Sequence, residues 1–233
     1  IIFSNDYRRI AFDEILSNLL MLLKARKVIK IKKTENKNIS QEVQNEILKK
    51  FPHNLTEGQI CVLKQLDKDI TSNSRMFRLI QGDVGSGKTI IALILSAKVC
   101  KSKYQVAYMA PTEILSKQQY NQTQKLFDSN DIKIELLTSK TSNKKDIITN
   151  LAKGKIDLII GTHSLFQKKI KFKKLGLVII DEQHKFGVKQ RMELSNKGGK
   201  NCDILLMSAT PIPRTLIMAV YGDMDVSRII EKP

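Results

Sequence analysis

The eight residues GDVGSGKT, Gly82 to Thr89, constrain this chain more than any other stretch. They satisfy the spacing G-x-x-x-x-G-K-[ST], a loop that works only between a strand and a helix. The flanks supply both: an apolar run from Phe77 to Ile80 before it and a helix-length apolar stretch from Ile90 to Val99 after it. Gly82, Gly85 and Gly87 permit positive φ and leave room for the backbone to close around an anion. With Asp83, Val84 and Ser86 between them, successive N–H groups are expected to point inward, and the following helix adds its positive end. Lys88 is expected to reach the β- and γ-phosphates, and the Thr89 hydroxyl to ligate Mg²⁺. The loop therefore predicts a nucleoside triphosphate with Mg²⁺ as ligand. A chance glycine-rich turn is the competing reading, and the flanking strand and helix weigh against it.

Beyond Pro52 short β-like runs alternate with amphipathic helices, the pattern of a mostly parallel α/β sheet with helices on both faces. Strands are expected at Arg78–Gln81, Gln105–Ala110, Lys133–Leu137, Asp157–Ile160, Leu177–Ile180 and Ile204–Met207. Several are unbroken apolar runs, as strands covered on both faces should be. Helices are expected to start at Thr89, Thr112, Asn143 and Gly187, with another after Pro213. Before Pro52 the pattern is helical. Phe12, Ile15, Leu16, Leu19, Leu20 and Leu23 form one stripe, Lys24 to Lys33 is a basic tract, and Thr34 to Asn38 reads as a linker. Ser40 is placed to cap a short helix bearing Val43, Ile47 and Phe51 on one side. The expected division is a helical connector over residues 1–51 and an α/β domain over residues 52–233.

A chain of 233 residues can bury one sizeable core and a small appendage. It begins with Ile1, so it is expected to be a fragment or a processed piece. The net charge of +17 invites a polyanionic partner, although lysines spread over every solvated face would raise the charge without making a groove. Three widely spaced cysteines (Cys61, Cys100, Cys202) fit neither a disulfide framework nor a metal site, so a reducing cytoplasm is the expected setting. No apolar run approaches the ~18 residues of a membrane span, so no membrane partner is expected.

A second set of residues belongs with the loop. LVIIDEQH, Leu177 to His184, is an apolar strand ending in two acids, and ligands of open α/β sheets bind where parallel strands meet their C-terminal loops. Asp181 is placed there to hold Mg²⁺, and Glu182 to polarise the water that attacks the γ-phosphate. A plain turn or helix cap is the bland alternative. Ser208, Ala209 and Thr210 end the Ile204 strand, where small hydroxyl residues suit sensing of the γ-phosphate. In LTEGQ, Leu55 to Gln59, Thr56 is a candidate cap, and the Gln59 amide suits adenine recognition because it both donates and accepts.

GDVGSGKT, APTEIL (Ala110 to Leu115), GTHSLFQ (Gly161 to Gln167), DEQHKFGVKQR (Asp181 to Arg191) and SATPIPRTL (Ser208 to Leu216) together resemble superfamily 2 nucleic-acid motor ATPases, and among them the RecG helicase family. RRIAFDEIL, Arg8 to Leu16, is similar to the helical segment that follows that family's wedge domain. The transcription–repair coupling factors share several of these runs, but Gln183 and the Arg8 segment favour RecG. The resemblance implies a RecA-like domain that couples ATP hydrolysis to movement along branched duplex DNA in repair and recombination. It implies ATP contacts from Gln59 and Gly82 to Thr89, and metal and water chemistry at Asp181 and Glu182. Gln183 and His184, with the Ser208 turn, would couple the ATP site to the DNA side. Pro111, Thr112, Glu113, Gly161, Thr162 and His163 would touch the DNA phosphate backbone. The family also pairs this lobe with a second RecA-like lobe and a wedge domain, neither of which this sequence carries, so a lone lobe is expected to be a weak ATPase. Rival readings are a non-catalytic nucleotide-binding remnant of a shortened gene, and a transport or small-molecule-kinase P-loop protein, for which no LSGGQ signature or lid is visible.

Overall fold

All six expected strands form, and a seventh joins them in a sheet of order β3-β4-β2-β5-β6-β1-β7 in which every pairing is parallel. The structure is a computed structural model that describes residues 9, 12, 13, 16, 32–128, 131–182, 197–210 and 224–231. The strands are β1 (Phe77–Gly82), β2 (Gln105–Met109), β3 (Ile134–Leu137), β4 (Leu158–Gly161), β5 (Leu175–Ile180), β6 (Asp203–Ser208) and β7 (Asp225–Ile229). Between and before them run α1 (Glu42–Lys50), α2 (Glu57–Thr71), α3 (Lys88–Lys101), α4 (Glu113–Phe127) and α5 (Lys144–Lys153). The helices expected after Gly187 and after Pro213 lie outside the described residues.

Side-chain alternation assigns the two faces of the sheet. Ile80, Val106, Tyr108, Ile160, Ile179 and Met207 share one core with α1, α2, α3 and the end of α4. Leu79, Met109, Ile159, Ile180 and Leu206 point the other way and are equally withdrawn from solvent. Helix α3 is buried from Ile90 to Cys100, sandwiched between the sheet and the helices before it, which is why its sequence is apolar all round rather than striped. Its one deeply buried cation, Lys98, meets Asp67 of α2 at 2.7 Å.

By contacts the chain divides into two compact units, Ile1–Ile31 with Ile212–Met224, and Lys32–Pro211 with Asp225–Pro233. In the first, Arg9, Phe12, Asp13 and Leu16 are helical, as the apolar stripe predicts. Helix α1 belongs with the second unit, because Val43 and Ile47 enter its core. The stretch read as a linker, Thr34 to Asn38, is instead a strap tied to the sheet. Lys33 and Lys37 both reach the Asp203 carboxylate, at 3.1 and 2.7 Å, with all three side chains fully buried. Asp203 opens β6, so the strap is fastened at the N-terminal ends of the strands, opposite the GDVGSGKT loop. A polar sequence hid this because the burial is of paired charges rather than of apolar surface.

Candidate functional site: a phosphate loop facing an acid pair

The loop leaves β1 at Gly82 and turns into α3 at Lys88. Gly85 and Gly87 adopt φ of 85° and 83°, the left-handed region expected of them. Gly82 does not; it is required for space instead, since a Cβ there would come within 2.5 Å of the Ser86 hydroxyl. Lys88 folds its ammonium back onto the loop, donating to the carbonyls of Gly82 and Asp83 at 2.5 and 2.8 Å. The loop amides, this ammonium and the first turn of α3 form a cationic cradle that fits a polyphosphate. Ser86 Oγ is buried there with no hydrogen-bond partner among the described residues. Asp83 and Val84 are exposed at the rim.

Strand β5 delivers the acids. In the sheet order β6 alone separates β5 from β1, so Asp181 and Glu182 emerge at the same edge as the loop. The Asp181 N–H donates to the Met109 carbonyl at 2.9 Å, which extends the β2 pairing one residue past the strand. Burial first, then the charge of Glu182, push the Asp181 carboxyl up to about 6, while the Glu182 N–H and the Lys88 ammonium pull it down. Burial likewise lowers Lys88, opposed by the charges of Glu182 and Asp181. These mutual influences place the lysine and both acids in one electrostatic neighbourhood. Glu182 takes φ of 52°, a left-handed conformation unusual for its residue type, which turns its N–H toward the Asp181 carboxylate. Thr89 and Asp181 together offer only oxygen donors, a set that suits Mg²⁺.

Gln59 sits beneath the loop. Thr56 and Gln59 close a capping box at the start of α2, with the Thr56 N–H donating to Gln59 Oε1 at 3.0 Å. The same amide donates from Nε2 to the Ser86 carbonyl at 2.9 Å, and the side chain is 2% exposed. Both ends of the amide are thus engaged, and Gln59 braces the loop from below. Ser208 faces Gln81 in the β1–β6 register, next to the loop, and its hydroxyl closes a small turn with Thr210 through the Thr210 N–H at 3.2 Å. Ala209 completes that turn. Gln183 and His184 lie outside the described residues.

The expected backbone-gripping segments are also gathered at one place, because β4 lies between β3 and β2. Pro111 is half-buried after β2, and Thr112 caps α4 by accepting the Leu115 N–H at 3.2 Å. Glu113 accepts the N–H and hydroxyl of Ser139, and the Ser139 hydroxyl bond holds its carboxyl below the ordinary range. A carboxylate so engaged braces the loop after β3. Gly161 ends β4 and Thr162 and His163 follow it, where a groove of about 300 Å³ is lined by Ser139, Lys144, Thr162, His163, Ser164 and Lys169 among others. Sequence reading missed Ser139, Lys144 and Lys169, which carry no motif, and gave no role to Ser164, although it lies within GTHSLFQ. It also missed Tyr108, hidden in an apolar strand yet neighbouring both Thr89 and Asp181.

A phosphate loop after β1 and an acid pair after β5 of a parallel sheet define the class of RecA-like P-loop nucleotide-binding lobes. The chain belongs to the DEAD/DEAH box helicase family, whose model matches residues 25–219. It is 44% identical to the ATP-dependent DNA helicase RecG of Aquifex aeolicus and 46% to that of Bacillus subtilis, in each case over 97% of this chain. It spans only 29% and 33% of those relatives' own length. Among solved structures, a RecG bound to a three-way DNA junction matches with a TM-score of 0.80 and 41% identity, over 97% of this chain and 30% of that one. A DEAD box protein from Methanococcus jannaschii shares the fold at a TM-score of 0.62 and 20% identity, over 86% of this chain and 57% of that one. Among the described residues no helix is long and apolar enough to cross a membrane.

Proposed function

We propose that this chain is the first motor lobe of a RecG-type DNA helicase, binding Mg²⁺-ATP at the loop and acid pair and gripping branched DNA by its phosphate backbone. The observation that carries this reading is the meeting of Lys88, Asp181 and Glu182, which come from distant parts of the sequence yet stand close enough for the Asp181 and Glu182 charges to act on Lys88 and for Glu182 and Lys88 to act on Asp181. The loop amides and Lys88 bind the β- and γ-phosphates, while Thr89 and Asp181 hold the cation. Bound there, Mg²⁺ neutralises phosphate charge and fixes the oxygens of the transferred group. Glu182 orients the attacking water and takes its proton. Ser208, paired with Gln81 beside the loop, carries changes at the γ-phosphate into the sheet.

On the other half of the same edge, the groove bearing Thr162, His163, Lys144 and Lys169 offers hydroxyls and cations beside the Gln167 amide and an apolar wall of Leu137, Ile148 and Ile170. That chemistry suits a sequence-independent grip on a sugar-phosphate backbone, as a translocating motor needs. An arginine supplied by a second lobe would be worth ~10³–10⁵ in turnover. A reducing cytoplasm fits the free cysteines, Cys100 and Cys202 buried and Cys61 exposed. The test is ATP turnover by this chain alone and joined to a second motor lobe, with and without a synthetic three-way junction. Slow basal turnover that rises steeply only when both lobe and junction are present is expected. Equal stimulation by a short linear duplex would refute the preference for branched DNA, and no turnover in any arrangement would refute the motor assignment.

A further inference from the structure

Tyr108 is fully buried in the middle of the sheet, where its ring packs in the core shared with α3. Its hydroxyl has no hydrogen-bond partner among the described residues. Buried hydroxyls are nearly always paired, so an orphan in the core calls for a partner that arrives with a ligand. The register of β2 and β5 shows where it points. Tyr108 pairs with Ile179, and Asp181 follows two residues later, so Tyr108 and Asp181 share the face on which α3 lies. The groups acting most closely on the hydroxyl are the Asp181 carboxylate and the Thr89 hydroxyl; both influence it, yet neither closes a well-formed hydrogen bond.

These are the two side chains assigned above to Mg²⁺. An Mg²⁺ ion keeps several of its waters, and carboxylates that hold such ions are themselves oriented by hydrogen-bond donors behind them. A phenol is a donor at neutral pH. We propose that Tyr108 is a positioning residue of the triphosphate site, whose hydroxyl donates to the Asp181 carboxylate or to a cation-bound water and so fixes how Asp181 presents itself to Mg²⁺. The proposal rests on the Mg²⁺-ATP reading of the site. It predicts that the hydroxyl contributes to cation affinity and nothing to the fold of the unliganded chain.

The experiment titrates Mg²⁺ into the full chain with a fluorescent ADP, for wild type and Tyr108→Phe, alongside thermal unfolding without nucleotide. In Tyr108→Phe the Mg²⁺ half-saturation should rise about tenfold, the scale seen when the donor behind a metal-holding group is removed. Nucleotide affinity in EDTA should stay at the wild-type value, and the unliganded melting temperature should hold or rise, since an unpaired buried oxygen is gone. Tyr108→Leu should reproduce the cation defect while melting lower because it leaves a cavity. A Tyr108→Phe chain with wild-type Mg²⁺ half-saturation overturns the proposal. So does a clear drop in its unliganded melting temperature, which would mean the hydroxyl already has a protein partner. If wild type itself shows no Mg²⁺-dependent gain in nucleotide binding, the Mg²⁺-ATP reading falls first and the role of Tyr108 falls with it.

Discussion

Replacing Asp203 by Asn should destabilise the sheet domain more than any single change at the ATP site. Asp203 Oδ2 meets Lys37 at 2.7 Å, Oδ1 meets Lys33 at 3.1 Å and also accepts the Met76 N–H at 2.6 Å, and none of the three charged side chains is exposed. Removing one partner of a buried ion pair costs about 3–5 kcal/mol, because the charge left behind is neither solvated nor neutralised. Two ammonium groups are left here, but each keeps backbone acceptors: Asp69 and Ile70 carbonyls for Lys33, the Asn201 carbonyl for Lys37. Asn also preserves an acceptor for Met76. The expected loss therefore sits at the lower end, about 3 kcal/mol, or a melting temperature lower by roughly 6–12 °C for a domain of this size. Urea and thermal unfolding followed by circular dichroism would measure it. Burial depresses the Lys33 ammonium, against the pull of Asp203, so Lys33→Met should cost less than Asp203→Asn. A loss below about 1 kcal/mol for Asp203→Asn would mean that water reaches the triad and that the strap is not pinned as argued.

Lys88→Ala should abolish nucleotide binding in an equilibrium fluorescence assay with little change in melting temperature, since its ammonium bonds only to the loop's own carbonyls. Glu182→Gln should keep nucleotide binding and lose ATP turnover in the chain joined to a second lobe; normal turnover would remove Glu182 from water activation. At the same position Glu182→Gly should melt higher than Glu182→Ala, by about 1 kcal/mol in stability, because φ of 52° strains any residue with a Cβ. The ordinary order of alanine above glycine would show that the left-handed turn is not kept. Gly87→Ala should weaken nucleotide binding through positive φ and collision of the new methyl with the Gln59 amide, and shortening Gln59 to Ala should relieve only the second effect.

The strands were legible because each is an apolar run between turn signals, and their ends agree within two residues. Strand β7 was not, since DVSRI places Ser227 and Ile229 inward but leaves Arg228 exposed at a sheet edge, too short and polar a pattern to stand out. The loop and the acid pair were legible because their chemistry dictates residue type and spacing. Gln59 shows the limit: its identity signalled a role near the nucleotide, but its commitment to Thr56 and Ser86 depends on a fold that brings α2 under the loop. Ser139 and Lys144 were invisible for the opposite reason. Nothing local marks them, and only the crossing of β3 beside β4 brings them to the groove.

The sheet order divides the C-terminal edge into two halves, with β1, β6 and β5 carrying the residues proposed for the triphosphate and β4 and β3 leading into the groove proposed for DNA. Strand β2 sits at the boundary, paired with β5 on one side and β4 on the other. Tyr108 lies against Asp181 and Thr89, while three residues on, Pro111 begins the turn in which Thr112 caps α4 and Glu113 braces Ser139. A fully buried strand paired on both sides does not bend readily, so a shift of Asp181 on binding the cation would be passed along β2 as displacement rather than absorbed. Its outlet is the start of α4, held by the Thr112 cap, the Ser116 hydroxyl on the Thr112 carbonyl and the Glu113–Ser139 bridge. The end of β2 is therefore the shortest physical route from the proposed nucleotide site to the groove proposed for DNA, shorter than any path through the outer strands β7 or β3.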